Sequence, residues 1–238
     1  MNKVSVIIAA GGSSSRMGGI DKQFAAVDGI PVLARSMMIF EGVEEVCEII
    51  VSCPPEKAEK VKALAGEYGI GKFSHCAEGG RTRQESVINA VKTAAAESNI
   101  IAVHDGARPL AGRDAVRQCI KDAAIFGGAV LAVPVKDTIK EADDGMVRDT
   151  PDRRRLFMTQ TPQIFEKKGF IRAVNFAIDH SLDFTDDCQM AEAVGIRINI
   201  TPSDYMNIKI TTPEDLVIAE ALIKNGCADP DREIIKYR

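Results

Sequence analysis

The sequence predicts an α/β fold built on a mostly parallel sheet. Its strand candidates are short apolar runs without alternation, such as Val4–Ala9 and Ile100–His104, a pattern typical of strands buried on both faces. Segments in which apolar residues recur at helical spacing separate these runs. The 238 residues, of which 45% are hydrophobic and 27% charged, are sufficient for a large core. The combination indicates a Rossmann-like twisted sheet flanked by helices, with right-handed crossovers.

The predicted elements alternate in a regular order. After the strand Val4–Ala9 comes a loop rich in glycine and serine, Gly11–Gly19. Further strands are predicted at Val46–Cys53, Lys72–Cys76, Ile100–His104, Ala129–Val135 and Ile196–Ile200. Helices are predicted at Val32–Phe40, Glu56–Tyr68, Arg83–Glu97, Arg113–Phe126, Lys167–Ile178, Asp187–Ala193 and Thr212–Lys224. Pro31 and Pro213 favour the first turns of their helices, and the Glu214-Asp215 pair favours the positive end of the last one.

The alternation stops between Lys136 and Thr161. This stretch is polar and contains Asp143-Asp144-Gly145, a sequence typical of hairpin turns. It predicts a β-arm that projects from the main sheet, although a disordered surface loop is the alternative. Because there is no repeat and no linker, we expect a single domain over residues 1–238 that carries residues 136–161 as its arm.

Composition excludes several classes of protein. A formal net charge of −4, a pI of about 5.5 and the absence of tryptophan disfavour a general nucleic-acid binder, so any anion site must be local. No apolar run approaches the ~20 residues of a membrane span, and the run Val4–Ala10 is too short for a secretory signal. The six cysteines form no Cys-x-x-Cys pair, so a disulfide framework or structural zinc site is disfavoured. We expect a cytoplasmic protein without nucleic-acid or membrane partners.

Polar clusters follow the predicted strands, where ligands of open α/β sheets bind. There are five: Ala9–Gly18 with Lys22; Gly79–Ser86; His104–Pro109; Lys136–Thr138 with Arg153–Arg155; and Thr185–Asp187 with Asn207–Thr211. In the first, small residues let backbone N–H groups approach phosphate oxygens, and Arg16 and Lys22 add positive charge. Neither Gly-x-Gly-x-x-Gly nor Gly-x-x-x-x-Gly-Lys-[Ser/Thr] is present, which disfavours a nicotinamide cofactor site and a P-loop ATPase.

Each cluster taken alone has an ordinary structural explanation. The glycine-rich loop could be a flexible turn, and Asp105 could close an Asx-turn. His104 is expected to be packed and hydrogen-bonded rather than to act as a base. Arg153–Arg155 and Lys209 could be solvated surface charge.

Taken together, the clusters resemble the 2-C-methyl-D-erythritol 4-phosphate cytidylyltransferase family. The matching motifs are Ala-Ala-Gly-x-x-x-x-Arg-Met (9–17), Lys-Gln (22–23), Gly-Gly-x-x-Arg-x-x-Ser (79–86), Val-His-Asp-Gly-Ala-Arg-Pro (103–109), Ala-Val-Pro-Val-Lys-Asp-Thr-Ile-Lys (132–140), Gln-Thr-Pro-Gln-x-Phe (160–165), Thr-Asp-Asp (185–187) and Asn-Ile-Lys-Ile-Thr-Thr-Pro-Glu-Asp-Leu (207–216). They run through nearly the whole chain. Asp21 departs from the pattern, because proline often precedes the Lys-Gln pair, and this acid could weaken the field of Lys22. The tail after Cys227 matches no motif.

The resemblance implies a nucleotidyltransferase-type fold, and a reaction of CTP with 2-C-methyl-D-erythritol 4-phosphate that releases pyrophosphate. The attacking group is a phosphate oxygen whose second pKa is about 6, so no general base is required. Mg²⁺ or another divalent cation would bridge the triphosphate. The family also implies a homodimer in which residues 136–161 serve as the dimerisation arm.

The resemblance assigns residues to these roles. Catalytic roles are implied for Arg16, Lys22, Arg153 and Lys209, of which Arg153 could act on the neighbouring subunit's site. Substrate-binding roles are implied for Ala9, Ala10, Gly11, Gly12, Gly80, Arg83, Ser86, Asp105, Gly106, Ala107, Arg108, Thr138, Thr161, Thr185 and Thr211. Asp105 is also the candidate contact to the metal.

Other functions remain open at this point. A ribitol-5-phosphate cytidylyltransferase would share the glycine-rich loop and the Gln-Thr-Pro-Gln segment. A non-catalytic sugar-nucleotide-binding module would keep the loop but lose Arg16 or Lys22. A nicotinamide-dependent oxidoreductase is disfavoured by the missing glycine fingerprint.

Overall fold

A seven-stranded mixed sheet forms the centre of the computed structural model, which describes residues 2–12, 17–19 and 21–233. The strands are β1 (Val4–Ala9), β2 (Ala26–Val27), β3 (Ile30–Pro31), β4 (Val46–Cys53), β5 (Phe73–Glu78), β6 (Ile100–Asp105), β7 (Gly128–Pro134), β8 (Glu141–Asp143), β9 (Met146–Asp149), β10 (Phe157–Glu166) and β11 (Ile198–Pro202). The helices are α1 (Val32–Glu41), α2 (Ala58–Glu67), α3 (Arg83–Val91), α4 (Arg113–Phe126), α5 (Lys167–Asp179), α6 (Asp187–Glu192) and α7 (Pro213–Lys224). Short 3₁₀ helices cover Pro55–Lys57 and Arg153–Arg155.

The large sheet has the strand order β11-β7-β10-β6-β1-β4-β5. Its neighbouring strands are parallel except at β10, which is antiparallel to both β6 and β7. β1 lies between β6 and β4, so the carboxyl ends of these strands meet at one edge of the sheet. The predicted α/β fold with a mostly parallel sheet is confirmed.

Two apolar layers cover the faces of this sheet. β1 divides its residues between them, since Val6 and Ile8 pack on one side with Phe40 of α1, whereas Ile7 packs on the other with Val87 of α3. All five of these side chains have lost their contact with solvent. Burial on both faces explains the lack of alternation in the strand sequences.

β10 is a central strand that the sequence analysis did not predict. It contains Pro162 beside the polar residues Gln160, Thr161 and Gln163, and a proline usually argues against a central strand. The structure accommodates it with a register irregularity against β7 between Thr159 and Gln163. The predicted arm is therefore shorter, because part of residues 136–161 belongs to the main sheet.

Helix α3 ends at Val91, six residues before the predicted end. The carbonyl oxygens of Ala94 and Ala95 accept hydrogen bonds from the ammonium group of Lys167, at 3.4 and 2.6 Å. The backbone N–H of Ala95 donates to Glu48. These tertiary bonds replace the helical ones that the sequence alone favours.

The arm carries the predicted hairpin. β8 and β9 pair antiparallel around Asp144 and Gly145, whose φ angles of +47° and +79° are those that a two-residue hairpin turn requires. Every residue of both strands is exposed, including Met146 and Val147 at 75% and 61%.

Among the described residues, no helix has both the length and the apolar character to cross a bilayer.

Candidate active site

A cleft of about 270 Å³ opens beyond the carboxyl ends of β1, β5 and β6. It lies where ligands bind in open α/β sheets. Its lining is Ala9, Gly11, Gly12, Lys22, Gln23, Gly80, Arg81, Thr82, Arg83, Ser86, Asp105, Ala107 and Lys209. Four of these residues are cationic and one is a carboxylate, so a chain with a net charge of −4 has gathered positive charge here. Positive charge gathered in a cleft is what a local anion site requires.

A second cleft of about 160 Å³ adjoins the first. The two share Arg83, Asp105 and Lys209 as a common wall. The other lining residues of the smaller cleft are Arg108, Thr159, Gln160, Thr161, Gln163, Thr185 and Asp186. Hydroxyl and amide groups dominate this surface, which suits a polar, hydroxylated ligand.

Asp105, the last residue of β6, joins the two clefts through its carboxylate. One oxygen lies 3.1 Å from Nε of Arg83, and the other lies 2.7 Å from Nζ of Lys209 and 3.9 Å from Nε of Arg108. Burial alone would raise the pKa of this carboxyl, but the positive charges of Arg83, Lys209 and Arg108 outweigh it and lower the pKa. Asp105 is therefore ionised at neutral pH and holds the cationic side chains at the junction.

Arg83, at the start of α3, connects two buried acids. Its Nη2 lies 2.7 Å from an oxygen of Asp187, the first residue of α6, while Nε faces Asp105. Burial raises the pKa of Asp187, and Arg83 opposes that change. The amide oxygen of Gln163 accepts hydrogen bonds from the backbone N–H groups of Asp187 and Cys188. The guanidinium is therefore fixed from both sides.

His104 is buried beneath the junction as a structural residue. Its Nε2 donates to the carbonyl oxygen of Arg108 at 3.0 Å, which leaves Nδ1 to accept from the Thr161 hydroxyl at 3.0 Å. That hydroxyl oxygen in turn accepts the backbone N–H of Asp105. Burial lowers the pKa of His104 to about 4, so the ring is neutral near pH 7. The expectation of a packed, hydrogen-bonded histidine agrees with this geometry.

The loop before α3 depends on a glycine. A Cβ at Gly80 would lie 2.4 Å from the Cβ and Cγ atoms of Glu85, so a side chain there would displace the loop. The backbone N–H of Gly80 donates to the hydroxyl of Ser86, and this hydroxyl donates to the carbonyl oxygen of Thr82. Ser86 thus shapes the cleft by holding the loop as well as by lining it.

The ends of β1 and β6 leave little room for a side chain at Gly106. A Cβ at Gly106 would lie 2.8 Å from Oε1 of Gln23 and 3.2 Å from the carbonyl oxygen of Ala9. Nearby, Nζ of Lys22 would lie 3.9 Å from a Cβ placed at Gly12, so its ammonium group lies beside the glycine-rich loop. The carboxylate of Asp21 pairs with Lys57 at 2.7 Å, and that ion pair reduces the effect of the acid on Lys22.

Comparison with known proteins identifies the family. The family model described as 2-C-methyl-D-erythritol 4-phosphate cytidylyltransferase (IspD) matches residues 4–225. This chain belongs to that family. Its activity is the transfer of a cytidylyl group to 2-C-methyl-D-erythritol 4-phosphate in the non-mevalonate pathway of isoprenoid synthesis.

Curated relatives and solved structures agree with the assignment. The cytidylyltransferase of Caldanaerobacter subterraneus subsp. tengcongensis is 40% identical over 226 residues, which cover 94% of this chain and all of the relative. That of Alkaliphilus oremlandii is 39% identical, covering 94% and 96%. The crystal structure of the Anaerococcus prevotii 4-diphosphocytidyl-2C-methyl-D-erythritol synthase superposes with a TM-score of 0.83 at 30% identity, covering 94% and 96%. The Thermus thermophilus enzyme gives 0.76 at 32%, covering 93% and 99%. These results favour methylerythritol phosphate over the ribitol alternative and an enzyme over a binding module.

Most of the residues predicted for the site of this cytidylyltransferase lie together. The two clefts contain Ala9, Gly11, Gly12, Lys22, Gly80, Arg83, Ser86, Asp105, Ala107, Arg108, Thr161, Thr185 and Lys209. Ala10 and Gly106 are buried behind the lining. Arg16 lies outside the described residues.

Three predicted residues do not line either cleft in the described part of the chain. Thr138 is exposed on the arm, and Arg153 donates from its Nη1 to the carbonyl oxygen of Lys136 at 2.9 Å. Thr211 donates its backbone N–H and its hydroxyl to Asp215, which caps the start of α7. In this structure, therefore, neither of the two arm residues borders a cleft.

The structure adds residues to which sequence reasoning gave no role. Asp187 fixes Arg83, and Gln163 holds the turn before α6, although both residues lie inside motifs quoted for the family. Arg81 and Thr82 line the larger cleft from the loop before α3. The motifs carried the signal for these positions, but nothing in the sequence distinguished a side chain that lines the cleft from one that supports it.

Proposed function

We propose that the larger cleft binds CTP and the smaller one binds 2-C-methyl-D-erythritol 4-phosphate. The observation that carries this proposal is the shared wall of Arg83, Asp105 and Lys209. Two anionic substrates can meet across it while cations surround them. The glycine-rich loop and its cations suit a triphosphate, and Thr161 and Thr185 suit a polyol.

The reaction joins a phosphate oxygen of the acceptor to the α-phosphorus of CTP and breaks the bond to pyrophosphate. The acceptor phosphate is already ionised near pH 7, so no residue has to remove a proton. Catalysis depends on alignment and on charge stabilisation. We assign the charge on the triphosphate and leaving group to Lys22 together with Arg16, and the acceptor phosphate to Lys209.

Arg83 and Asp105 act as the rigid partition between the substrates. Arg83 is fixed by Asp187, so it offers a preorganised positive charge at the boundary. A carboxylate oxygen of Asp105 lies 2.7 Å from Nζ of Lys209 and keeps the ammonium group at the wall of the cleft before the sugar phosphate binds. Neutral His104 keeps the backbone of Asp105 in place through Thr161.

The residues present fit Mg²⁺ as a companion of the nucleotide rather than as a resident ion. No group of three or more potential metal ligands occurs among the described residues, and Asp105 is the carboxylate that lines the larger cleft. Mg²⁺ is commonly bound by one or two carboxylates together with substrate phosphates. When bound, it would supply positive charge to the triphosphate, and a direct contact would require Asp105 to share its oxygens with Arg83 and Lys209.

We also propose that the chain is a single domain that forms a homodimer through the arm, which is the part of residues 136–161 that precedes β10. Exposed apolar side chains on the arm support this, namely Ile139 at 40%, Met146 at 75% and Val147 at 61%. Dimerisation would give Thr138 and Arg153 a route to the partner's site. Six free cysteines suit a reducing compartment, so we propose that the enzyme acts in the cytoplasm.

Paired lysine substitutions test the substrate assignment. Lys22→Ala should lower kcat by about 10²-fold, the scale of one preorganised charge contact. Lys209→Ala should chiefly raise the KM for the acceptor, measured by pyrophosphate release with each substrate varied in turn. Lys121→Ala, on the exposed side of α4, is the matched control and should be unchanged. If Lys209→Ala raised the KM for CTP instead, the two clefts would be reversed. If Lys22→Ala had normal turnover, its role would be wrong.

A further inference from the structure

The chain continues beyond α7 into a tail that folds back on the enzyme. The described tail, residues 226–233, lies beyond the family match, which ends at residue 225. The carbonyl oxygen of Pro230 accepts the backbone N–H of Arg113 at 2.6 Å, and Asp231 pairs with the Arg113 guanidinium at 2.7 Å. The tail is therefore attached to the start of α4, next to the loop that follows β6.

Arg232 is the most extensively bonded side chain of this tail. Its Nε and Nη2 meet the two carboxylate oxygens of Asp204 at 2.7 and 3.0 Å, and both side chains are largely buried. The same guanidinium donates to the carbonyl oxygens of Leu110 and Asp229, at 2.6 and 2.7 Å. Such two-pronged, charge-assisted pairs are among the strongest and most directional hydrogen bonds in proteins.

Asp204 organises the turn that leads to Lys209. One of its oxygens accepts the backbone N–H groups of Met206 and Asn207, at 2.9 and 3.2 Å. Its carbonyl oxygen accepts from the side-chain amide of Gln160 at 2.9 Å. These bonds join the turn before Lys209 to Gln160, and both Gln160 and Lys209 line the smaller cleft, which is proposed to bind 2-C-methyl-D-erythritol 4-phosphate.

Asn207 carries the connection into the smaller cleft. Its amide nitrogen donates to Oε1 of Gln160 and to the carbonyl oxygen of Thr161, at 2.9 and 3.0 Å. Its own carbonyl oxygen accepts from Nη1 of Arg108 at 2.6 Å. Gln160, Thr161 and Arg108 line the smaller cleft, and Lys209 follows two residues later.

We propose that Arg232 is a positioning residue that preorganises the smaller cleft, and that it does so from a tail beyond residue 225, where the family match ends. It clamps the turn before Lys209 to the loop that carries Arg108. Most of the nucleotide cleft is lined by the end of β1, the loops after β1 and β5, and α3, and among the described residues no hydrogen bond of Arg232 reaches these segments. Asp105, Ala107 and Lys209 complete its lining, whereas the clamp acts on the segments that carry Arg108, Gln160 and Lys209 of the smaller cleft. Loss of the clamp should therefore weaken the binding of the sugar phosphate much more than that of CTP. This inference rests on the proposed assignment of the smaller cleft to the acceptor.

Substitution of Arg232 in the full chain tests the proposal. Arg232→Gln should raise the KM for 2-C-methyl-D-erythritol 4-phosphate about tenfold, less than the ~10²-fold that a displacement of 1 Å can cause. The KM for CTP should stay within twofold. Arg232→Lys keeps the positive charge but cannot make the paired hydrogen bonds to Asp204, so its KM for this substrate should lie between those of the wild type and Arg232→Gln. Glu233→Gln, at the exposed neighbouring position, is the matched control and should be unchanged.

Amide hydrogen exchange provides a readout that does not depend on the activity. In the ligand-free protein, Arg232→Gln should speed exchange at Met206, Asn207 and Ile210, whereas the strand amides of β1 should be unaffected. Faster exchange without a change in acceptor KM would mean that the clamp is real but that the acceptor assignment is wrong. Unchanged exchange, or an equal rise in both KM values, would overturn the positioning role itself.

A double variant covers the case in which Arg232→Gln does not fold. Arg232→Gln with Asp204→Asn leaves no unpaired buried charge and should be tolerated better than the single change. In this double variant too, the KM for 2-C-methyl-D-erythritol 4-phosphate should rise while the KM for CTP stays within twofold. Normal acceptor KM in this folded double variant would contradict the proposal.

Discussion

Protonation of His104 should make the enzyme acid-labile, because the buried ring is held in its neutral form. Nε2 donates to the carbonyl oxygen of Arg108, and Nδ1 accepts from the hydroxyl of Thr161. A second proton on the ring would turn Nδ1 into a donor facing a hydroxyl that already donates to it. That hydroxyl also supports the backbone of Asp105. The perturbation is a fall in pH, and the control is a variant in which this position cannot titrate.

The size of the effect follows from the two pKa values of the ring. Burial lowers the pKa of His104 in the folded protein to about 4, against an ordinary value of 6.5 in the unfolded chain. Between these values the unfolded chain binds more protons, so the free energy of unfolding decreases as the pH falls. The contribution is fully present above pH 6.5. It loses about 2 kcal/mol by pH 5 and about 3 kcal/mol once the pH passes below 4.

Urea unfolding of the wild type and of His104→Gln, at pH values from 7.5 to 4.5, measures this contribution. The glutamine keeps a donor for the Arg108 carbonyl but has no proton equilibrium in this range. The raised pKa of Asp187 acts in the opposite sense, because its carboxyl binds protons more tightly in the folded protein than in the unfolded chain. Its contribution to the free energy of unfolding therefore decreases as the pH rises. That contribution is common to both proteins and cancels in their difference. Parallel stability curves for the two proteins would refute the role given to His104.

Three further predictions follow from the same contacts. Asp187→Asn removes one of the two charges that fix the guanidinium between the clefts and should lower kcat/KM about tenfold in pyrophosphate-release assays; an unchanged value would mean that Asp105 is sufficient. Gly80→Ala should raise the KM for CTP at least severalfold, because its Cβ would meet Glu85 at 2.4 Å, whereas Gly66→Ala, with open space around it, should leave activity unchanged and thereby exclude a general effect of alanine. Val147→Asp should give a monomeric mass by light scattering at micromolar concentration, where the wild type is expected to be a dimer; a monomeric wild type would exclude the dimer proposal.

Apolar runs and helix periodicity predicted most of the sheet and its flanking layers. The bounds of Val4–Ala9, Val46–Cys53 and Arg113–Phe126 coincide with β1, β4 and α4. These elements have simple determinants, namely burial on both faces for the strands and one apolar face for the helix. The Asp143-Asp144-Gly145 turn was equally predictable, since few other sequences adopt positive φ at two successive positions.

β10 could not be predicted because its stability comes from its neighbours. Its central residues Gln160, Thr161 and Gln163 are polar, yet each has a buried partner in another segment of the chain. Those partners, Asp204, His104 and Asp187, are 24 to 57 positions away in sequence. Local propensity contains no information about such pairs.

The same reasoning explains why the sequence motifs contained the residues around the clefts but did not distinguish those that line a cleft from those that support it. Residues that touch the clefts and residues that hold them share one chemistry, since Asp105 and Asp187 both bind the guanidinium of Arg83. What distinguishes them is burial, with the Asp105 side chain 10% exposed toward the cleft and that of Asp187 2% exposed. A site that must bring two phosphates together needs cations that do not collapse onto one another, and anions placed behind them provide that restraint. The acids of this site are therefore as necessary to its positive surface as the arginines and lysines, and their removal should disorder the cations rather than strengthen substrate binding.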